Sequence, residues 1–342
     1  MFEDFANVWT PVALAADLRA DRPLAVQVAG TLLVLLRDRE GKPSALLDRC
    51  PHRGVALSLG RVKDGCLECP FHGWQIEASG QVCRVPWNPD AKLSTLRGVA
   101  FPARELAGQI WVYTAPIDRP ATEPEAHEAL LSPGVRISGF QIEWATHWTR
   151  AMENMLDWPH LPFVHRRTIG KSMAGRSNAR MDIAWEERPW GAHTHVRIDG
   201  KPEAGSLDFR WPNQMNLHIP IPNKRLMMLV ACVPIDGQRT RMLVTMARDF
   251  LTSPLFDFFF HRMNARIAGE DRAIVESSFP VEVPPAGEER SVRTDAPTLI
   301  FRKRYFAELK GTSSGIDDEP SGRRALPMAG GPLPVAGGYT AR

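Results

Sequence analysis

Short apolar segments separated by turn residues fill the first third of the chain. Residues 24–28, 32–37 and 44–48 are rich in leucine or β-branched residues, and Ala29-Gly30 and a polar stretch over residues 38–43 divide them. This alternation predicts a meander of β-hairpins, and a further strand is predicted over residues 108–113. Thr10-Pro11 has the form of a helix start, so we expect a short helix over residues 12–18.

The pattern changes after residue 133. This part is predicted to contain helices near residues 148–158, 254–277 and 295–309 and strands around residues 136–144, 181–187, 193–198, 207–211, 215–219, 226–233 and 241–248. Such a mixture predicts an α+β fold, an antiparallel sheet with flanking helices. The Pro- and Glu-containing stretch over residues 116–133 is typical of a linker.

The chain is therefore expected to form a first domain over residues 5–115, a linker over 116–133 and a second domain over 134–310. Residues 311–342 contain seven glycines and four prolines. Such a composition does not form a core by itself, so this segment is expected to be a tail.

Composition narrows the class of protein. The 342 residues suffice for two domains, and 42 basic residues are mixed with 39 acidic ones, which argues against a nucleic-acid partner. The longest apolar run, residues 226–233, is far too short for a membrane span. Met1-Phe2-Glu3-Asp4 lacks the start of a signal peptide, so a cytoplasmic protein is expected.

Five cysteines in a chain of this kind favour metal or catalytic use over a disulfide scaffold. Cys50-Pro51-His52 and Cys69-Pro70-Phe71-His72 each offer one thiol and one imidazole. Two such loops suit either a tetrahedral zinc ion or a [2Fe–2S] cluster in which the cysteines bind one iron and the histidines the other. Zinc fingers place two cysteines in one pair and two histidines in the other. Each loop here has one cysteine and one histidine, which favours the cluster.

The other cysteines are expected to be structural. Cys66-Leu67-Glu68-Cys69 allows a competing interpretation, a CxxC zinc or dithiol site, but the stronger pattern already uses Cys69. Cys66 and Cys83 are then ordinary strand residues, and Cys232 in its apolar segment is a core residue.

Asp157, His160 and His165 form a second group of potential ligands. His160 follows Asp157 by three residues, which predicts one helical face, and Pro162 predicts a break or a new helix start before His165. Two imidazoles and one carboxylate are the ligand set of O₂-activating ferrous enzymes.

Together, the Cys-x-His, Cys-x-x-His and Asp-x-x-His-x-x-x-x-His motifs resemble those of the Rieske non-haem iron oxygenases. The chain is similar in length to the short type that includes vanillate O-demethylase, dicamba monooxygenase and caffeine N-demethylase. The resemblance implies an N-terminal all-β Rieske domain and a C-terminal catalytic domain of the helix-grip, START-like kind. Val55 and Phe71 replace the disulfide cysteines of respiratory Rieske proteins, which indicates the oxygenase type.

The resemblance also implies the roles of the site residues. The [2Fe–2S] cluster would be bound by Cys50, His52, Cys69 and His72, and a mononuclear Fe(II) by His160 and His165. Asp157 would be a catalytic bridge from an iron histidine to a cluster histidine of the neighbouring subunit.

The third iron ligand implied by the resemblance is a carboxylate in the acidic segment before the C-terminus. We select Asp271 as this ligand, with Glu270 and Glu276 as alternatives. If no metal binds here, these acidic residues would instead lie on a solvated helix face and form ion pairs with Arg266 and Arg272. Asn154 is a weaker candidate for a more distant position near the iron.

The implied reaction is a monooxygenase or dioxygenase reaction with O₂: hydroxylation, or O- or N-demethylation, of a mostly apolar aromatic or polycyclic small molecule. Electrons would come from NAD(P)H through a separate flavin- or ferredoxin-type reductase, because no Gly-x-Gly-x-x-Gly turn follows a strand. A homotrimer is implied, since the cluster of one chain would serve the iron of the next. A Rieske electron carrier without a catalytic iron and a two-site zinc protein are the alternatives.

Apolar residues of the later strands are candidates for the substrate pocket, although alternation along a strand makes about half of them core residues. These candidates are Phe209, Trp211, Met215, Leu217, Met227 and Met228. His218 and Asn216 are candidates for orienting a polar substituent of the substrate.

Overall fold

The computed structural model of the protein describes residues 1–312, except residues 172, 174 and 177 and the side chain of residue 204. Residues 313–342, almost all of the predicted tail, lie outside the described residues.

Three small antiparallel sheets make up the first part of the chain, with strand orders β1-β11-β10, β2-β3-β4-β9 and β5-β6-β7-β8. Their strands are β1 (Trp9–Leu14), β2 (Leu24–Val28), β3 (Thr31–Arg37), β4 (Pro43–Leu47), β5 (Arg61–Lys63), β6 (Cys66–Glu68), β7 (Gln75–Ile76), β8 (Val82–Arg84), β9 (Ala100–Phe101), β10 (Ala103–Leu106) and β11 (Gln109–Tyr113). The predicted hairpin meander is therefore confirmed.

The predicted helix over residues 12–18 is wrong. β1 runs through most of this segment and pairs with β11, and all six of its residues are buried. Only a single 3₁₀ turn follows, over residues 15–17. Pro11 fits because the register shifts between Pro11 and Ala13, at an irregularity where a missing N–H costs little. Burial on both faces of β1 outweighs the local helix-start signal.

The second part of the chain forms one seven-stranded antiparallel sheet with the order β12-β18-β17-β16-β15-β14-β13. Its elements are α1 (Glu128–Leu131), β12 (Arg136–Trp144), α2 (Trp148–Leu156), α3 (Leu161–Val164), β13 (Met181–Arg188), β14 (Gly191–Ile198), β15 (Lys201–Arg210), β16 (Gln214–Ile221), β17 (Lys224–Asp236), β18 (Arg239–Arg248), α4 (Leu255–Val275) and α5 (Ala296–Glu308). The predicted α+β class is confirmed, and α2 and α4 pack against the sheet.

The two faces of this sheet pack against different helices. Met228 and Val230 of β17 belong to the main core with Trp148 and Met152 of α2. The alternate residues Met227 and Leu229 pack with Leu130 of α1 on the opposite face. Helix α2 therefore lies on one face of the sheet, and α1 covers part of the other.

One hydrophobic core runs through both parts of the chain, since the main cluster includes residues from Phe2 to Leu309. The N–H groups of Ala29 and Gly30 donate to the carbonyls of Pro234 and Ile235, at 2.8 Å each. None of the helices in the described part of the chain has the length and hydrophobicity needed to cross a bilayer.

Candidate metal centres

The two Cys-His loops share one backbone design. The N–H of Cys50 donates to Val55 and that of Gly54 to Cys50, both at 2.8 Å. In the second loop, Cys69 N–H donates to the Trp74 carbonyl at 2.8 Å and Gly73 N–H to Cys69 at 3.0 Å. Gly54 and Gly73 have φ values of +66° and +68°, where residues with a Cβ are strained. Each loop therefore folds back on its cysteine through a glycine four residues later.

Within these loops the thiols are buried and the imidazoles are exposed. Cys50 and Cys69 are each 2% exposed, whereas His52 and His72 lie at the surface. The two imidazole rings are 4.7 Å apart, and His52 stacks on Trp74 at 4.4 Å with an interplanar angle of 5°. Two sulfurs inside and two nitrogens outside match a cluster with an inner and an outer iron.

The electrostatics of the thiols fit a metal centre. Burial raises the pKa of the Cys50 thiol to about 11, and its hydrogen bond with Cys69 acts in the same direction. The backbone N–H groups of His52 and Arg53 act in the opposite direction and stabilise the thiolate. Binding of a metal must therefore displace the proton of the Cys50 thiol, after which backbone N–H groups stabilise this sulfur ligand.

A single zinc ion in the loops is disfavoured by the spacing. Among the described residues, potential ligand atoms of three or more side chains lie within 4.8 Å of one another at two places, and neither of them is in these loops. Ligands of one tetrahedral ion, about 2.0–2.3 Å from the metal, would be that close together. Cys66 is not paired with Cys69 either: its Sγ lies 3.8 Å from that of Cys83 on β8.

The second centre is built at the end of α2. Trp148 anchors this helix through ring contacts with Phe5 at 5.2 Å and Tyr305 at 5.5 Å. The helix ends at Leu156, so the expectation that Asp157 and His160 share a helical face is wrong, because Asp157 is already extended. The predicted new helix start is confirmed: α3 begins after His160 and is capped by His165.

α4 brings a carboxylate to these histidines. Its buried residues recur at helical spacing, and Asp271 is one of them, in line with Asn264 and Ile267. Oδ1 of Asp271 lies 2.9 Å from Nε2 of His165 and 3.6 Å from Nε2 of His160. The structure thus brings His160, His165 and Asp271 together as one potential ligand set.

The other ring nitrogens face carboxylates. Nδ1 of His165 lies 2.9 Å from Oε2 of Glu270, which also accepts a hydrogen bond from the Thr168 hydroxyl at 2.8 Å. Nδ1 of His160 lies 3.3 Å from Oδ2 of Asp157, without the alignment of a hydrogen bond. Both imidazoles are therefore oriented with Nε2 toward Asp271, as in metal sites whose histidines are held by outer carboxylates.

Unpartnered atoms at the centre fit a bound cation. Oδ1 of Asp271 is buried and has no hydrogen-bond partner. Burial lowers the pKa of His165, but the negative charges of Asp271 and Glu270 and the hydrogen bond with Glu270 outweigh it, so the net shift is upward. A carboxylate oxygen and two imidazole nitrogens facing one another are a suitable ligand set for Fe(II).

The alternative carboxylates have other partners. Glu270 lies behind His165 and pairs with Arg266 at 3.6 Å. The side chain of Glu276 accepts hydrogen bonds from Ala145 N–H and from Arg272, both at 2.7 Å. Of the three acidic residues, only Asp271 faces the Nε2 atoms of both histidines.

Two sequence patterns now agree with the geometry. The pattern that describes the Rieske [2Fe-2S] domain matches residues 8–97, and that of the vanillate O-demethylase oxygenase C-terminal domain matches residues 184–309.

The chain belongs to the Rieske non-haem iron oxygenases. This confirms the family resemblance and the [2Fe–2S] and mononuclear iron cofactors that it implies.

Individual Rieske oxygenases are similar over most of this chain. Methylxanthine N1-demethylase NdmA of Pseudomonas putida is 28% identical over 90% of both proteins. Its solved structure superimposes with a TM-score of 0.76 and 25% identity, covering 88% of this chain and 89% of NdmA. The chlorophyllide a oxygenase of Chlamydomonas reinhardtii is 27% identical over 80% of this chain, but the match covers 43% of that protein. The chain thus spans about half the length of several curated relatives, the chlorophyllide a oxygenases.

A cavity of about 400 Å³ opens at the mononuclear centre of this Rieske oxygenase. Met215, Leu217 and Met228, three of the predicted pocket residues, line it. Phe209 packs on Trp185 instead. Met227 faces the other side of the sheet, as strand alternation requires. Trp211 is not part of the lining either; Arg304 lies over its ring.

The polar groups of the cavity are few. Nδ2 of Asn154 and Oδ1 of Asn264 are buried in its wall without hydrogen-bond partners. His218 borders the cavity, but its Nε2 lies 3.1 Å from Asp208, and Asn216 is on the opposite face of the sheet with Asp208. Asn154 and Asn264 are therefore better placed than His218 or Asn216 to orient a substrate.

Sequence reasoning missed the role of Glu270 and Thr168. The acidic pair Glu270-Asp271 indicated one iron ligand, but not that the other carboxylate would hold a ligand histidine. Nothing in the sequence indicated a role for Thr168. Burial acts to raise the pKa of Glu270, but hydrogen bonds from His165 and Thr168 lower it overall.

We expect the substitution Glu270→Gln to weaken Fe(II) binding about 10–100-fold, because a charged partner of a ligand histidine is lost. The measurement is iron retained by the holoprotein in competition with a chelator. Glu276→Gln is the matched control on the same helix and should bind iron like the wild type. Equal iron affinity in both variants would show that Glu270 does not support His165.

Proposed function

We propose that the chain is the oxygenase component of a multicomponent system that hydroxylates, or O- or N-demethylates, a mostly apolar ring-containing small molecule. It takes O₂ and electrons that originate from NAD(P)H and arrive through a separate flavin- or ferredoxin-type reductase. One observation carries the proposal: the His160, His165 and Asp271 set lies at a cavity of about 400 Å³ with a largely apolar lining. A protein that only carries electrons needs neither a second metal site nor a substrate cavity.

Electron entry is proposed at the exposed edge of the Rieske domain. His52 and His72 are exposed there beside Phe71, which is 58% exposed, a combination suited to docking of another protein surface. Asp157 is 32% exposed, so it is accessible from outside the chain while close to His160. These exposures support transfer between neighbouring subunits of a homotrimer, with Asp157 as the bridge.

The residues of the chain divide the work. A [2Fe–2S] cluster held by the two Cys-His loops would supply single electrons. Ferrous iron held by His160, His165 and Asp271 would activate O₂ for attack on a C–H bond. Glu270 and Asp157 hold the imidazoles in the orientation that directs Nε2 inward. The apolar cavity wall excludes water and holds the substrate close to the ligand set.

The cavity supports a substrate with an apolar ring system and one or two hydrogen-bonding substituents. Methionines, leucines and other apolar side chains form much of the lining, and Asn154 and Asn264 offer an amide donor and acceptor. The name of the relative NdmA states N1-demethylation of methylxanthine, a compound with such a ring and an N-methyl group. We therefore include methylated heteroaromatic compounds in the substrate class. A cytoplasmic location is part of the proposal and accords with five free cysteines.

The experiment is product profiling. The holoprotein is incubated with NAD(P)H, O₂, a compatible reductase and a library of methylated and unmethylated aromatic compounds. Products that gain one or two oxygen atoms, or lose a methyl group, support the proposal when the Asp271→Ala variant does not form them.

Iron analysis separates the proposal from its alternatives. We expect about three iron atoms per chain, two in the cluster and one in the mononuclear centre, and a brown protein with a Rieske spectrum. Two iron atoms per chain would indicate an electron carrier, and a colourless zinc protein would contradict both.

A further inference from the structure

A second histidine–carboxylate cluster lies away from the iron ligands. Asp208 of β15 is at its centre, with His193 of β14 and His218 of β16 from the neighbouring strands. His127, at the N-terminus of α1, completes it from the segment that joins the two domains. The cluster lies on the sheet face that α1 covers, opposite the face of Leu207 and Leu217 that lines the cavity.

The distances suit ligands of a single ion. Oδ2 of Asp208 lies 3.1 Å from Nε2 of His127 and 3.1 Å from Nε2 of His218. All three ligand atoms lie within 4.8 Å of one another. Adjacent ligands around a first-row transition ion, each about 2.0–2.2 Å from it, are roughly 3 Å apart. The two imidazole rings meet edge to face at 4.9 Å, so their nitrogens converge without a clash.

Asp208 is prepared to act as a ligand. Its side chain is 6% exposed. Burial acts to raise the pKa of its carboxyl, but hydrogen bonds from His127, His218 and His193 hold it well below its usual range. Nδ1 of His193 lies 2.7 Å from Oδ1, the oxygen that the other two histidines leave free. His193 thus orients the carboxylate, as outer partners do in metal sites.

A buried amide beside the cluster provides an independent observation. Asn216 lies directly opposite Asp208 in the register of β15 and β16, so the two side chains share a face. Asn216 is 0% exposed, and neither Nδ2 nor Oδ1 has a hydrogen-bond partner. Buried amides are nearly always satisfied, so a polar partner is required here, and an ion with its bound water supplies one.

A cluster held by hydrogen bonds alone is the competing interpretation. Nδ1 of His127 accepts a hydrogen bond from Ala129 N–H at 3.1 Å, which makes Nε2 the protonated nitrogen when no ion is bound. An ion that binds Nε2 must displace that proton, which moves to Nδ1. The four-residue helix α1 then loses the hydrogen bond from Ala129 N–H to Nδ1. The hydrogen-bonded cluster leaves Asn216 unsatisfied, whereas the ion site accounts for it.

We propose that His127, His218 and Asp208 form a binding site for Zn²⁺, separate from the two iron centres. Two imidazoles and a carboxylate suit this ion, with water or Asn216 at the remaining position. The ion would fasten the segment that carries α1 to β15 and β16, the strands whose other face lines the cavity.

Metal counting on the holoprotein tests the proposal. The purified protein is equilibrated with ZnSO₄, exchanged into metal-free buffer and analysed for zinc and iron together. The wild type should retain one zinc with three iron atoms per chain, whereas Asp208→Asn should retain three iron atoms and no zinc. His193→Ala should weaken zinc binding about 10–100-fold.

His195→Ala is the matched control, since His195 is on the same strand but 3.7 Å from Glu186 instead of Asp208. It should bind zinc like the wild type. The proposal is overturned if the wild type retains no zinc, if zinc enters only as iron leaves, or if Asp208→Asn retains zinc. If Asp208→Asn does not fold, His218→Gln takes its place, because the His218 side chain is 33% exposed. This variant should also retain three iron atoms and no zinc, and retained zinc would overturn the proposal.

Discussion

Replacing Asp157 by asparagine is expected to lower coupled substrate oxidation about 100-fold while the chain keeps both iron centres. The carboxylate of Asp157 lies 3.3 Å from Nδ1 of His160 and is one-third exposed. The amide has a similar shape but no charge, so it provides a poorer link to a histidine of another subunit. The loss should therefore fall on electron delivery and spare iron binding.

The measurement is a single turnover. The reduced protein is mixed with substrate and O₂, and the oxidation of its cluster is followed by absorbance. Asp199→Asn is a suitable control, because Asp199 is an exposed turn residue with φ of +51°, a conformation that asparagine tolerates equally well. Rapid cluster oxidation in Asp157→Asn, with product formed at the wild-type rate, would rule out the bridging role.

Replacing Asp271 by alanine is expected to abolish product formation and reduce the iron content from about three to about two atoms per chain. The side chain provides the carboxylate that faces Nε2 of both His160 and His165, and two imidazoles alone hold ferrous iron weakly. The cluster loops are formed by other residues, so the Rieske spectrum should be unchanged.

The same helix provides the comparison. Glu276→Ala removes a carboxylate of similar sequence context whose partners are Ala145 and Arg272, and three iron atoms should remain. If Asp271→Ala retains three iron atoms and Glu276→Ala loses one, the assignment of the third ligand is wrong.

The cluster loops were predictable because their chemistry is local. A cysteine, a histidine and a glycine within five residues define each loop, and the spacing alone separates mixed ligand pairs from zinc-finger pairs. The sheet of the second domain was predictable for a similar reason, since its strands are long and strongly apolar.

Other features depend on packing that no local pattern encodes. Residues 12–14 join a strand because both faces are buried against neighbouring elements, which Thr10-Pro11 does not signal. Which methionines reach the cavity depends on strand register: Met228 lines it and Met227 does not. The His127 cluster joins residues 91 positions apart on three strands and a linker helix, too far apart for a spacing motif.

The main hydrophobic core joins the N-terminal strands to the seven-stranded sheet. β1 pairs with β11 and also packs against β17 and β18, and the β2–β3 turn is hydrogen-bonded to the end of β17. Swinging the Rieske domain toward its own iron would break this core. In the proposed homotrimer, the electron would instead come from the cluster of a neighbouring chain. We therefore expect dilution that separates the chains to slow turnover per chain.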